Sequence, residues 1–106
     1  MSARHLGRWF AVAALLVAAD AAADGKALFT SLCAPCHGKD GSGKTPLGRK
    51  WGIPDFRAAE WQGGRTDEAI GAAVRGGRAG TRMRPFGGRL TDEEISALVR
   101  HIRSLR

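Results

Sequence analysis

The chain has 106 residues, a length that suits one domain. Hydrophobic residues make up 43% and charged residues 25%, a globular balance that excludes a disordered chain, and no self-similar segment suggests a repeat protein. The formal charge of +7 points toward acidic partners.

The start reads as an export signal. MSARHLGR carries Arg4 and Arg8, and an uncharged, mostly apolar run of 11 residues follows from Trp9 to Ala19. DAAADG then supplies the small residues that a signal peptidase reads, with cleavage expected after Ala23 and Ala21 as the alternative. The competing reading is an uncleaved anchor, but a spanning helix needs about 20 residues. Residues 1–23 are therefore expected to be a secretory signal peptide and residues 24–106 the working domain. Loss of Arg4, Arg8 and Asp20 takes the formal charge from +7 to +6. So small a domain buries little apolar surface and needs a staple: a disulfide, a metal or a cofactor.

ADGKALFTSLCAPCHG, residues 23–38, reads as a helix. Phe29, Leu32, Cys33 and Cys36 fall at i, i+3, i+4 and i+7 and so share one face. Pro35 lies near its end and Gly38 stops it. KDGSGKTPLGRKWGIPD reads as a loop, and FRAAEWQ as a short helix. TDEAIGAAVRGG has an N-cap at Thr66, acids in the first turn, and Ile70 and Val74 four apart. GGRAGTRMRPFGGR is a second glycine-rich loop, with Met83 inside it. LTDEEISALVRHIRSLR is the clearest helix. Thr91 and Glu94 form a capping box, and Ile95, Leu98, Val99 and Ile102 form one apolar stripe. Asp92 and Glu93 suit its positive start; Arg100, Arg103 and Arg106 suit its negative end. With no sustained strand alternation, the fold class is all-α with long loops.

Both cysteines of the chain lie in CAPCH, residues 33–37. Three chemistries use Cys-x-x-Cys. A redox dithiol normally follows a strand of an α/β unit, which is not visible here. A zinc site needs four ligands, and only His37 and the distant His101 are at hand. The third is covalent haem attachment through Cys-x-x-Cys-His. Cys33 and Cys36 stand nearly one turn apart and reach the two vinyl groups of a haem, while His37 falls beneath the ring as an iron ligand. The bland reading, a Cys33–Cys36 disulfide, closes too short a loop to stabilise much. Export from the cytoplasm favours haem.

A second axial ligand follows by elimination. Met1 leaves with the signal, so Met83 is the methionine of the mature domain. It lies in a loop before Pro85 and Phe86, where a ligand fits better than a core filler. The rival is His101 on the last helix.

Across residues 24–106 the chain resembles a single-haem class I c-type cytochrome of bacterial type. GKALFTSLCAPCHGKDGSG is similar to that family's first helix, with Gly25 and Phe29 at the positions that pack on the last helix. MRPF and LTDEEISALVRHIRSL resemble the methionine loop and C-terminal helix, with Leu98 at the usual contact position. TPLG resembles the segment where a proline carbonyl accepts the haem histidine's other N–H and a leucine covers the ring, roles that fall to Pro46 and Leu47. The resemblance implies a cytochrome c fold: N- and C-terminal helices packed together, short helices and long loops, and one covalent haem c per chain. It implies thioethers at Cys33 and Cys36 and axial ligation by His37 and Met83. Trp51, Phe56, Phe86 and Leu98 are candidate pocket walls, and Trp51, Arg49 or Lys50 candidate propionate partners. There is one departure. The family usually has an aromatic residue where His101 stands, which puts the aromatic contact with Phe29 in question, and the contact between the two helices is expected to be pH-sensitive.

A haem held by His and Met passes electrons without binding a substrate. The expected function is a periplasmic electron carrier, not an enzyme alone, acting as a monomer or as a subunit of a dehydrogenase or oxidase system. Arg75, Arg78, Arg82, Arg84 and Arg89 surround Met83 and are expected to steer acidic redox partners. No nucleic-acid motif appears, and no membrane span is expected after signal cleavage. Two other readings stay open: a haem protein whose Met83 detaches for peroxide chemistry or gas sensing, and a haem-free thiol oxidoreductase.

Overall fold

The computed structural model describes residues 23–106. The expected signal peptide lies outside the described residues, Ala23 excepted. Among the described residues there are helices and no strands, and no helix is long and apolar enough to cross a membrane.

The first helical segment has three parts. α1 (Gly25–Leu28) is capped by Asp24, whose carboxylate accepts the Ala27 N–H at 3.0 Å. A π-helical turn follows at Phe29–Cys33, and α2 (Ala34–His37) completes the segment. Pro35 accounts for the widening. In a regular α-helix its ring meets the carbonyl four residues back, that of Ser31. One extra residue in the turn lets the Ala34 N–H donate to the Phe29 carbonyl, and Pro35 then sits in the first turn of α2, where a missing N–H costs nothing. The extra residue also rotates α2 relative to α1. Of the single face expected for Phe29, Leu32, Cys33 and Cys36, the first three share the core, with Leu32 only half-buried, and Cys36 lies outside it.

The segment read as one long loop contains a helix, α3 (Pro46–Trp51). Thr45 caps it by accepting the Gly48 N–H at 2.8 Å, Pro46 fills the first turn, and Gly52 ends it at φ +63°. These are standard start and stop signals, and they outweigh the glycine-rich composition. The next helix, α4 (Ala59–Gly63), starts later than FRAAEWQ suggested, leaving Phe56 and Arg57 in the preceding turn. α5 (Asp67–Gly76) and α6 (Asp92–Ser104) match their expected caps, and the Thr91–Glu94 capping box is complete.

α1 crosses α6 at Gly25. A Cβ there would lie 2.1 Å from the Ala97 carbonyl oxygen, so the two backbones touch. Phe29, at 0% exposure, and Leu98, at 1%, fill the space beside that crossing. Ile95, Val99 and Ile102 complete the stripe on α6, and Ile70 and Val74 of α5 join the same core. A polar hub closes the far side. The Gln62 amide donates to the carbonyls of Phe56 at 2.7 Å and Ile102 at 3.0 Å. Arg103 donates to the Gln62 carbonyl at 2.6 Å, to that of Arg65, and to the Asp67 carboxylate at 2.7 Å. Arg103 thus serves α4 and α5 rather than the end of its own helix, and Arg106 lies beyond that end.

Candidate haem-binding site

The site begins at CAPCH. Cys33, at the end of the π-turn, is buried, Cys36 is half-buried in α2, and both thiols are free. Burial, and then the neighbouring Cys36, push the Cys33 thiol up to about 11. A redox or metal-activated Cys-x-x-Cys needs the opposite, a thiol lowered toward neutrality. Among the described residues, no group of three His, Cys, Asp or Glu side chains is arranged to hold a metal ion.

His37 follows Cys36. Its ring stacks on Phe56 at 4.5 Å between centroids and 25° between planes, and Phe56 packs on Trp61 at 4.3 Å. Burial lowers the His37 pKa, which favours the neutral imidazole that binds metals. Its Nδ1 is buried without a hydrogen-bond partner. The expected bond to the Pro46 carbonyl is therefore not made in this structure. A buried polar atom without a partner is rare and calls for an explanation.

The segment after His37 folds back under it. The Gly43 N–H donates to the His37 carbonyl at 2.8 Å, and the Thr45 hydroxyl donates to the Cys36 carbonyl at 2.6 Å while capping α3. Gly48 sits directly on this turn. A Cβ there would be 2.0 Å from the Gly43 carbonyl oxygen and 2.9 Å from that of Cys36. α3 is therefore fixed to the pentapeptide by backbone contact and by one bifunctional hydroxyl. On this fixed helix Leu47 and Trp51 are 36% and 38% exposed, the large apolar side chains left to solvent among the described residues. Two free thiols, an imidazole with an unpaired nitrogen and an adjacent helix with uncovered apolar side chains fit a haem in kind and in placement.

Met83 is half-buried and its backbone is pinned. Its N–H donates to the Thr81 hydroxyl at 3.1 Å and its carbonyl accepts the Arg78 N–H at 3.2 Å. Gly77, at φ +69°, lets the chain fold back, with a virtual Cβ 2.6 Å from the Met83 carbonyl oxygen. The Arg82 guanidinium lies over the Trp51 ring at 5.4 Å and so carries the loop to α3. Phe86 is half-buried, with Arg89 over its ring at 5.4 Å, and Leu98 belongs to the helix-crossing core. His101, the rival ligand, packs instead on Phe29 with ring centroids 5.0 Å apart. The contact that the departure from the aromatic pattern had put in question is thus present.

The arginines near Met83 are not all free. Arg75 pairs with Asp92 at 3.1 Å, and Arg82 and Arg89 cover aromatic rings, while Arg78 and Arg84 are exposed. Sequence reasoning overlooked Thr45, Gly43, Gly48, Trp61 and Gln62. Only Thr45 carried a local signal, a hydroxyl residue directly before proline.

A family model described as "Cytochrome C oxidase, cbb3-type, subunit III" matches residues 20–102. The cbb3-type cytochrome c oxidase subunit FixP of Rhizobium etli is 36% identical over 84 residues, 79% of this chain and 28% of that protein. The CcoP subunit of Azospirillum brasilense is 31% identical over 87 residues, 82% of this chain and 29% of that protein. The chain thus spans less than a third of the length of these relatives. Among solved structures, the KustC0563 c-type cytochrome superposes with a TM-score of 0.73 at 40% identity, covering 78% of this chain and 98% of its own.

Proposed function

Because the chain belongs to the family of cbb3-type cytochrome c oxidase subunit III, a family of electron-transferring domains with covalent haem c, we propose that it carries single electrons between redox proteins through one His/Met-ligated haem. In this reading Cys33 and Cys36 form the thioethers, and His37 and Met83 bind the iron. The haem supplies a one-electron ferric/ferrous couple. The two free thiols beside a histidine whose pKa burial lowers carry the reading, because the lowered pKa favours the imidazole form that binds metals. Against a bound haem, Leu47 and Trp51 on α3 and Phe86 after Met83 would exclude water, and a dry pocket with a thioether ligand would favour the ferrous charge state.

Residues 1–23 act as a secretory signal, and the domain works in the periplasm. The basic start and the short apolar run support this reading. Exposed Arg78 and Arg84 steer acidic redox partners. Membership of a larger oxidase or dehydrogenase complex is the alternative to a freely diffusing monomer, and the names of the relatives favour it.

The test is export in a host that attaches c-type haem. The expected result is haem that survives denaturing electrophoresis, sharp reduced bands and a weak far-red methionine-to-iron band in the oxidised form. The far-red band should vanish in Met83→Ala and persist in His101→Phe. Covalent haem lacking that band in wild type would overturn methionine ligation.

A further inference from the structure

We propose that Arg82 and Trp51 form a clasp that positions the Met83 loop relative to His37. The inference rests on the His37/Met83 ligation reading and goes beyond it.

On one side the loop is tied to α5 and the core, through Phe86 and its neighbour. Its C-terminal end is bonded to α5: Phe86 N–H to the Val74 carbonyl at 2.9 Å, Gly87 N–H to that of Arg75 at 2.9 Å. Met83 itself is held by Thr81 and Arg78, within the same loop. None of these bonds refers the methionine to CAPCH. The Arg82 guanidinium does. It lies 5.4 Å from the Trp51 ring centroid, within the range of a cation–π attraction. Trp51 ends α3, and α3 is locked to Cys36 by the Thr45 hydroxyl and by the close approach of Gly48. The chain of contacts therefore runs from His37 through Cys36, Thr45 and Trp51 to Arg82, the residue next to Met83. Trp51 also has Lys50 at 5.9 Å, but Lys50 belongs to α3 and links nothing to the loop. In the clasp Arg82 and Trp51 are positioning residues: they act through Met83.

Imidazole competes with a methionine ligand for ferric iron, so its apparent affinity reports how readily the loop opens. The experiment titrates ferric holoprotein with imidazole, following the far-red band. Arg82→Gln should raise the apparent affinity about threefold. Arg82→Lys, which keeps a cation, should restore most of the difference. Arg84→Gln, which removes the same charge from the other side of Met83, should change the affinity much less than Arg82→Gln. Combining Arg82→Gln with Trp51→Leu should add little beyond Trp51→Leu alone, because either change opens the clasp. Equal affinity in Arg82→Gln and wild type, or equal effects of Arg82→Gln and Arg84→Gln, would overturn the clasp alone. Absence of the far-red band in wild type would overturn methionine ligation and the clasp with it.

Discussion

The two faces of the first helical segment are built differently. On one, α1 crosses α6 through Gly25, and Phe29 and Leu98 seal the crossing with side chains that solvent does not reach. On the other, α2 meets α3 through Gly43, Gly48 and the Thr45 hydroxyl, and Leu47 and Trp51 of α3 remain more than a third exposed. The first face is complete as polypeptide. The second is a rigid backbone platform whose hydrophobic work is left to the covalent haem c of the family. Both faces rely on glycine at a backbone contact, but Gly25 joins helices whose side chains close the crossing and Gly48 joins a helix whose apolar side chains stay partly uncovered.

The strongest test of that difference is a matched pair of substitutions. Alanine is a better helix former than glycine, by about 1 kcal/mol. Gly25→Ala should nevertheless destabilise the holoprotein by about 3 kcal/mol, since its Cβ meets the Ala97 carbonyl and forces the helices apart. Urea unfolding followed by haem absorbance measures this, and the folded fraction should keep a wild-type spectrum. Gly48→Ala should cost a similar amount but should also alter the oxidised spectrum and the reduction potential. It pushes α3 off the Cys36 carbonyl and moves Leu47 and Trp51. Identical spectra for both variants would remove the distinction between the two faces.

Thr45 sharpens the same point at smaller scale. Its hydroxyl accepts the Gly48 N–H and donates to the Cys36 carbonyl. Thr45→Val keeps the shape and removes both bonds, so a loss of about 2 kcal/mol is expected, about half from the helix cap and half from the stranded carbonyl. Thr45→Ser should recover most of it. Thermal melts of the three proteins decide the matter.

The parts legible in the sequence were those fixed by neighbours in the chain. CAPCH needs only adjacent residues, and α6 declares itself through Thr91, Glu94 and a four-residue stripe. α3 was also locally encoded, by Thr45, Pro46 and Gly52, yet the surrounding glycines masked it. The π-turn was not readable from periodicity, because a single inserted residue shifts the pattern without changing its composition. The Gln62–Arg103 hub and the Trp51–Arg82 contact join residues 41 and 31 positions apart, and side chains at such separations leave no local trace. Arg82 therefore read as one more surface cation.

His101 offers the smallest effect and the finest test of the polypeptide-complete face. Its ring takes the place of the family's usual aromatic against Phe29. Burial lowers its pKa, Lys26 lowers it further, and Asp24 partly opposes them. A histidine whose folded pKa is depressed binds its proton more readily when the chain is unfolded. Its stabilising contribution is then fully present above about pH 6.5, the ordinary histidine value, and is lost as the pH falls through the folded value. His101→Phe keeps a ring on Phe29 and removes the proton site. The two holoproteins should therefore unfold at similar urea concentrations at pH 8, and wild type should become the weaker as the pH falls to 5. His37 takes no part in the difference, since both proteins retain it. Parallel pH profiles would mean that the crossing of α1 and α6 accepts a charged imidazole, and that this face tolerates polarity as readily as the haem side does.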